Sequence, residues 1–125
     1  MKNNKAKFLL IEDNHLLITN IRIMSEDKDD GFDLVVASNM PEAIKALEDS
    51  DTVNSYDIIF LDGDLSGSAE LETLPLLEKI KAAGFKKPII AISASHNDKL
   101  EAAGATKGID KTRIVNEVIK ILKIT

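Results

Sequence analysis

The sequence contains no cysteine. That excludes disulfides, a thiol nucleophile and a thiolate metal site. No apolar stretch approaches the roughly 18 residues that a membrane-spanning helix needs. The basic N-terminus, MKNNKAKFLLIEDN, has an apolar run of only four residues before it turns acidic, so it does not read as a signal peptide. A cytoplasmic location is the expectation. Positive charge is also in short supply. The 16 Lys and Arg stand against 21 Asp and Glu, giving a net charge of −5 and a pI near 5.0. They are scattered, whereas a nucleic-acid binder shows a basic field or stripe. Aromatic residues make up 4%, too few for a base-stacking platform. Phe8, Phe32, Phe60, Phe85 and Tyr56 therefore read as packing residues. What remains is 125 residues, 44% hydrophobic and 30% charged, a composition and length that fit one domain with a core of its own.

Short apolar runs alternate with amphipathic stretches. The runs are FLLI (8–11), LVVA (34–37), IIFL (58–61), IIAI (89–92) and a weak KGID (107–110). Continuous apolar runs of four indicate strands buried on both faces. Between them, Leu17, Ile21 and Met24 repeat at helical spacing. Ala43, Ala46 and Leu47 share a face after a cap at Asn39, with Glu42 three residues on. Leu76, Leu77 and Ile80 form a third stripe that ends near Gly84. Leu100 to Ala103 is a short fourth. Val115, Val118, Ile119 and Leu122 form a fifth, with Thr112 as its N-cap. Five strand–helix units predict a flavodoxin-like doubly wound α/β fold, a five-stranded parallel sheet in the order 2-1-3-4-5 with helices on both faces. Ligands of such sheets bind beyond the carboxyl ends of the strands, where the order reverses between strands 1 and 3.

The first strand ends in Glu12-Asp13-Asn14 and the third in Asp62-Gly63-Asp64. The predicted topology makes these acidic clusters neighbours. Packed carboxylates repel, so a cation should join them. A hard divalent ion with oxygen ligands, Mg²⁺, suits the donors and keeps room for a phosphate oxygen. The fourth strand ends in Ser93-Ala94 and supplies a hydroxyl; the fifth leads to Lys111. Acids, a hydroxyl and an ammonium in one pocket describe a site for a phosphoryl group. Each piece alone is ordinary: acidic strand ends mark solvated loops and helix starts, and a Ser after a strand is turn chemistry. Their succession on four strand ends is not.

The chain resembles the response-regulator receiver domain, the aspartate-phosphorylated, CheY-like module of two-component signalling, over all of residues 1–125. LLIEDN resembles the family's acidic pair, YDIIFLDGDLSG the segment around its phosphoacceptor, KPIIAISAS the strand with its hydroxyl and small residue, and AAGATKGIDK the turn that leads to its lysine. The resemblance implies that Asp62 is the phosphoacceptor. Asp62 would take the phosphoryl group from the phosphohistidine of a histidine kinase or histidine phosphotransfer protein. Asp13, with Glu12 directly or through water, would hold Mg²⁺ beside Asp62, and Asp64 would lend its backbone carbonyl. Ser93 would hydrogen-bond a phosphoryl oxygen, Ala94 would leave room for it, and Lys111 would pair with Asp62 and then with the phosphoryl group. The chain would not be an enzyme towards other substrates. It would switch binding to a downstream protein or pass the group along a relay, without touching nucleic acid or membrane. With nothing after residue 125, it reads as a stand-alone receiver or a piece of a larger protein.

Departures from the family pattern accompany the match. Ser66 stands where a proline is usual, and Pro75 falls inside or at the start of the third helix. Thr112 replaces the proline after the lysine. Gly108 replaces the family's switch aromatic, three residues before the lysine. Only ten residues separate Ser93 from Gly104, about one helical turn of roughly 3.6 residues fewer than usual, so the fourth helix should be short. His15 reads as an exposed helix start and His96 as a loop residue with a possible part in access to the pocket. SEDKDDG (25–31) reads as a solvated helix end and turn, and Lys86-Lys87 as surface loop. Two rival functions are a haloacid-dehalogenase-like phosphatase and a pseudo-receiver. The D-x-D at 62–64 suggests the phosphatase, but the acidic pair comes first in this chain. A pseudo-receiver binds protein without phosphorylation, and the retained Asp62, Ser93 and Lys111 argue against it.

Overall fold

The computed structural model describes residues 6–66, 70–93 and 95–124, with side chains to Ile121. Five strands form one all-parallel sheet: β1 (Lys7–Ile11), β2 (Asp33–Ala37), β3 (Ile58–Leu61), β4 (Ile89–Ala91) and β5 (Lys107–Gly108). Their order is β2-β1-β3-β4-β5, the expected arrangement. The helices are α1 (His15–Ser25), α2 (Met40–Ala46), α3 (Ser50–Asn54), α4 (Leu74–Ala82), α5 (Asn97–Ala102) and α6 (Ile114–Ile124), the last entered through a 3₁₀ turn, Lys111–Arg113.

The apolar runs divide between two cores because successive strand side chains point to opposite faces. Leu9, Ile11, Ile59, Leu61, Ile89 and Ala91 pack with Ala43, Val53, Leu76, Leu77, Ile80 and Leu100 from α2 to α5. Phe8, Leu10, Ile58, Phe60 and Ile90 pack with Ile18 and Ile21 of α1 and Ile114 and Val118 of α6. Helices therefore cover both faces. All five aromatic side chains are buried, with Phe8 stacked on Phe32 at 4.4 Å between ring centres.

Local chemistry sets most helix ends where the sequence placed them. Asn14 Oδ1 accepts from Leu17 N and starts α1 with His15 exposed. Asn39 Oδ1 accepts from Glu42 N, while Glu42 Oε1 reaches back to accept from Ser38 N. Those bonds from Ser38 hold the Glu42 carboxyl below its ordinary value. Pro75 lies in the first turn of α4, where its missing N–H costs nothing, and Gly84 follows that helix with φ +82°. Asp27 Oδ2 accepts from the amides of Asp29 and Asp30, closing the turn after α1.

Three expectations change. A sixth helix, α3, occupies a segment with no apolar stripe; Asp49 caps it and Val53 alone is buried. Thr112 is not the cap of the last helix. Asp110 precedes the 3₁₀ turn and its Oδ1 accepts from Thr112 N at 3.1 Å, with the Thr112 hydroxyl donating to the same oxygen. Ile119 is 40% exposed, and Ile114 takes its place in the core. Gly67 and Ala94 lie outside the described residues, as does the Leu122 side chain.

Candidate functional site at the carboxyl edge of the sheet

Strand register delivers the acids to one point. Ile11 and Leu61 are partners in the β1–β3 ladder. The ladder continues one step further, with Asp62 N donating to Ile11 O at 3.0 Å and Glu12 N to Ala37 O at 3.0 Å. Glu12 and Asp62 therefore emerge side by side, at 0% and 1% exposure. Asp13 is half-buried beside them. One carboxylate oxygen from each of Glu12, Asp13 and Asp62 lies within 4.8 Å of the others.

Lys111 reaches this cluster from the 3₁₀ turn. Its Nζ donates to Asp62 Oδ2 at 2.9 Å and to Glu12 Oε2 at 3.2 Å. Glu12 Oε2 also accepts from the amides of Asp13 and Asn14, at 3.1 and 2.9 Å. Glu12 Oε1 is buried and has no hydrogen-bond partner among the described residues. Burial, followed by the Asp62 charge, pushes the Glu12 carboxyl up to about 7, against the bonds from Asn14 and Lys111. Burial also raises Asp62, with Lys111 pulling it partly back. Burial lowers Lys111, but the bond and charge of Asp62 and the charge of Glu12 outweigh it and hold the ammonium above its ordinary value.

Among the described residues Lys111 is the ammonium that meets Glu12 and Asp62, and a buried carboxylate without a full partner is costly. A lone buried acceptor, Glu12 Oε1, next to two further carboxylates is a donor set that a hard divalent cation fits. Glu12, Asp13 and Asp62 are the side chains that could hold it. Asp64 does not contribute its carboxylate to that group; its Oδ1 accepts from Ser66 N at 3.0 Å, within its own loop.

The hydroxyl expected at the end of β4 is in place. Ser93 is buried, and its Oγ accepts from His96 N at 3.1 Å and Ser95 N at 3.4 Å, which leaves its O–H to donate. A methyl group on Gly63 would lie 3.0 Å from Ser93 Oγ and 2.9 Å from His96 Cβ. Gly63 thus lets Ser93 and His96 close against the backbone between the two aspartates. His96 is half-buried at the start of α5, and α5 is short, as its spacing required.

Several residues that hold the site were not singled out in the sequence. The Thr73 hydroxyl, fully buried, donates to Asp62 O at 2.6 Å. Glu72 N donates to Gly63 O at 2.7 Å, and Glu72 Oε1 accepts from the amides of Leu65 and Ser66. Ser66, where proline was expected, donates its hydroxyl to Glu72 Oε2 at 2.7 Å. A Glu-Thr pair just before a proline-started helix is the available signal, but it reads as capping. Thr73 makes no side-chain cap here and serves the Asp62 carbonyl instead. Asn97 is the other residue missed. Its Oδ1 accepts from Ser93 N and its Nδ2 donates to Ile109 O, both at 2.8 Å.

A family profile described as the response regulator receiver domain matches residues 8–122. No curated protein matches the sequence significantly. Solved structures with the same fold include the phosphorylated cyanobacterial phytochrome response regulator RcpA, with TM-score 0.70 and 22% identity. That match covers 96% of this chain and 90% of that one. A CheY-like receiver domain protein from Methanospirillum hungatei JF-1 gives TM-score 0.69 at 16% identity, covering 97% and 96%. A Burkholderia pseudomallei response regulator, solved with a phosphorylated aspartic acid, calcium ion and citrate, gives 0.71 at 19% identity, covering 94% and 66%. Matched over residues 8–122, nearly its whole length, the chain belongs to the response regulator receiver domain family.

Proposed function

We propose that Asp62 accepts a phosphoryl group from the phosphohistidine of a kinase or phosphotransfer protein, and that the acyl phosphate so formed changes binding to a partner or is relayed onward. The observation that carries this reading is the 2.9 Å pairing of Asp62 with Lys111 inside the three-carboxylate cluster. An Asp62 oxygen attacks phosphorus, a P–O bond forms, and the P–N bond breaks with its electron pair returning to the donor imidazole. Lys111 keeps positive charge against the attacking carboxylate and then against the phosphoryl oxygens. The Ser93 O–H donates to one of those oxygens. Thr73 and Glu72 hold the Asp62–Ser66 backbone in place while the carboxylate reacts. Mg²⁺ held by Glu12, Asp13 and Asp62, with the Asp64 carbonyl, would supply further neutralisation of the transferring charge. A cytoplasmic setting, and no turnover of other substrates, belong to the same proposal.

Incubation with acetyl phosphate or phosphoramidate and Mg²⁺, followed by intact-mass measurement, tests it. Wild type should gain one phosphoryl adduct and Asp62→Asn none. An unmodified wild type with both donors would leave a protein-binding module without phosphorylation as the better reading.

Metal binding should depend on pH in a stated direction. The ion needs Glu12 as a carboxylate, and that group is protonated below about 7 in the metal-free pocket. Mg²⁺ affinity measured by calorimetry should therefore be roughly tenfold weaker at pH 6 than at pH 8. Equal affinities at the two pH values would remove Glu12 from the ligand set.

A further inference from the structure

The contacts of Asn97 reach both sides of the Asp62 pocket. Its carboxamide accepts from the backbone of Ser93 and donates to the carbonyl of Ile109, each at 2.8 Å. Ser93 follows β4, two residues beyond its end, and brings the hydroxyl to the site. Ile109 lies two residues before Lys111, with its own amide donating to Ala91 O at 2.8 Å. One turn further along α5, Glu101 Oε2 accepts from Gly108 N at 2.5 Å. The short α5 is thus stitched to residues 108–109 by two side chains spaced four apart, which share a helix face. Gly108 makes this possible. A methyl group there would lie 2.7 Å from Asn97 Cβ and 2.9 Å from its Cγ.

We propose that Asn97, lodged in the gap at Gly108, is the positioning residue that couples the Ser93 side of the Asp62 pocket to the segment delivering Lys111. The proposal rests on the phosphoacceptor reading above. The Ser93 hydroxyl accepts from His96 N, so a phosphoryl oxygen that draws Ser93 Oγ also draws the first turn of α5. Asn97 is the next residue, and its bond to Ile109 O passes that movement to the backbone that carries Lys111. The link is polar and local, and it works without any side chain at position 108.

The test is two-dimensional amide NMR of the whole chain, titrated with Mg²⁺ and beryllofluoride, which imitates a phosphoryl group on a carboxylate. In wild type the amides of Ser93 and His96 should shift, and those of residues 107–109 should shift with them. In Asn97→Ala the shifts at Ser93 and His96 should remain, as should that of Lys111, which meets Asp62 directly, while those at 107–109 fall to less than half. Asn97→Asp is the second variant, nearly isosteric, and covers the case in which the alanine variant does not fold. It keeps an acceptor for Ser93 N but turns an oxygen towards Ile109 O, so it should uncouple the same residues. Undiminished shifts at 107–109 in either folded variant, alongside a normal response at Ser93, overturn the coupling and leave the phosphoacceptor reading intact. No response at Asp62 or Ser93 in wild type overturns both.

Discussion

Lys111→Met should cost the metal-free protein about 3–5 kcal/mol at pH 8, the range for removing one partner of a buried ion pair. Methionine keeps most of the length and apolar stem but leaves Asp62 and Glu12, 1% and 0% exposed, with no ammonium between them. The loss should shrink at pH 6, and the sign follows from linkage. The Glu12 carboxyl stands at about 7 in the folded chain, above its ordinary 4.5. A carboxyl raised on folding penalises the folded state as pH climbs from the unfolded value through the folded one. Without Lys111, the group that pulls Glu12 and Asp62 back is gone, both rise further, and the penalty extends to higher pH. Lys111 itself is raised. Its contribution is full below its ordinary 10.5 and is lost only as pH passes above the folded value. Between pH 6 and 8 the carboxylates therefore decide the slope. Urea unfolding in chelator at the two pH values measures it. A loss below about 1 kcal/mol, equal at both, would show that solvent screens the pair as it does at a surface.

The centre of the site is legible in the sequence itself. Strands buried on both faces appear as continuous apolar runs, so their ends are sharp in the sequence. A doubly wound sheet places consecutive strand ends along one edge. Glu12, Asp13, Asp62, Ser93 and Lys111 are each the first or second polar choice after such an end, or the residue to which the last strand leads. The supports were harder to see because their partners are backbone groups far along the chain. Thr73 serves the carbonyl of Asp62, Glu72 the amides of Leu65 and Ser66, and Asn97 the carbonyl of Ile109. No periodicity announces such bonds. Helix α3 is faint in the sequence for a related reason: a five-residue helix that buries only Val53 leaves no stripe, and its local cue is the Asp49 cap. Ile119 failed in the other direction. Helical spacing puts it near the Val115–Val118 face, but the 3₁₀ entry brings Ile114 to the sheet and turns Ile119 outward.

Gly108→Ala should destabilise by about 2–3 kcal/mol, although an alanine in a strand normally helps. The backbone at 108 is outside the left-handed region, unlike Gly84 and Gly104, so alanine meets no conformational penalty there. The obstacle is the 2.7 Å approach to Asn97 Cβ. That atom is fixed to the first residue of α5 and cannot swing aside like the tip of a long chain. The helix must retreat, and the two carboxamide bonds, worth about 1 kcal/mol each, are stretched or lost. Asn97→Gly removes the obstructing carbon along with those bonds and should cost about 2.5–3 kcal/mol alone, including the glycine penalty in a helix. In the double variant the methyl group at 108 then enters vacated space. The pair should cost no more than Asn97→Gly alone, a departure from additivity of at least about 2 kcal/mol, within the range for residues in contact. Denaturant unfolding of the four proteins closes this cycle. If the two single losses simply add, Asn97 and Gly108 do not share the space that the coupling requires.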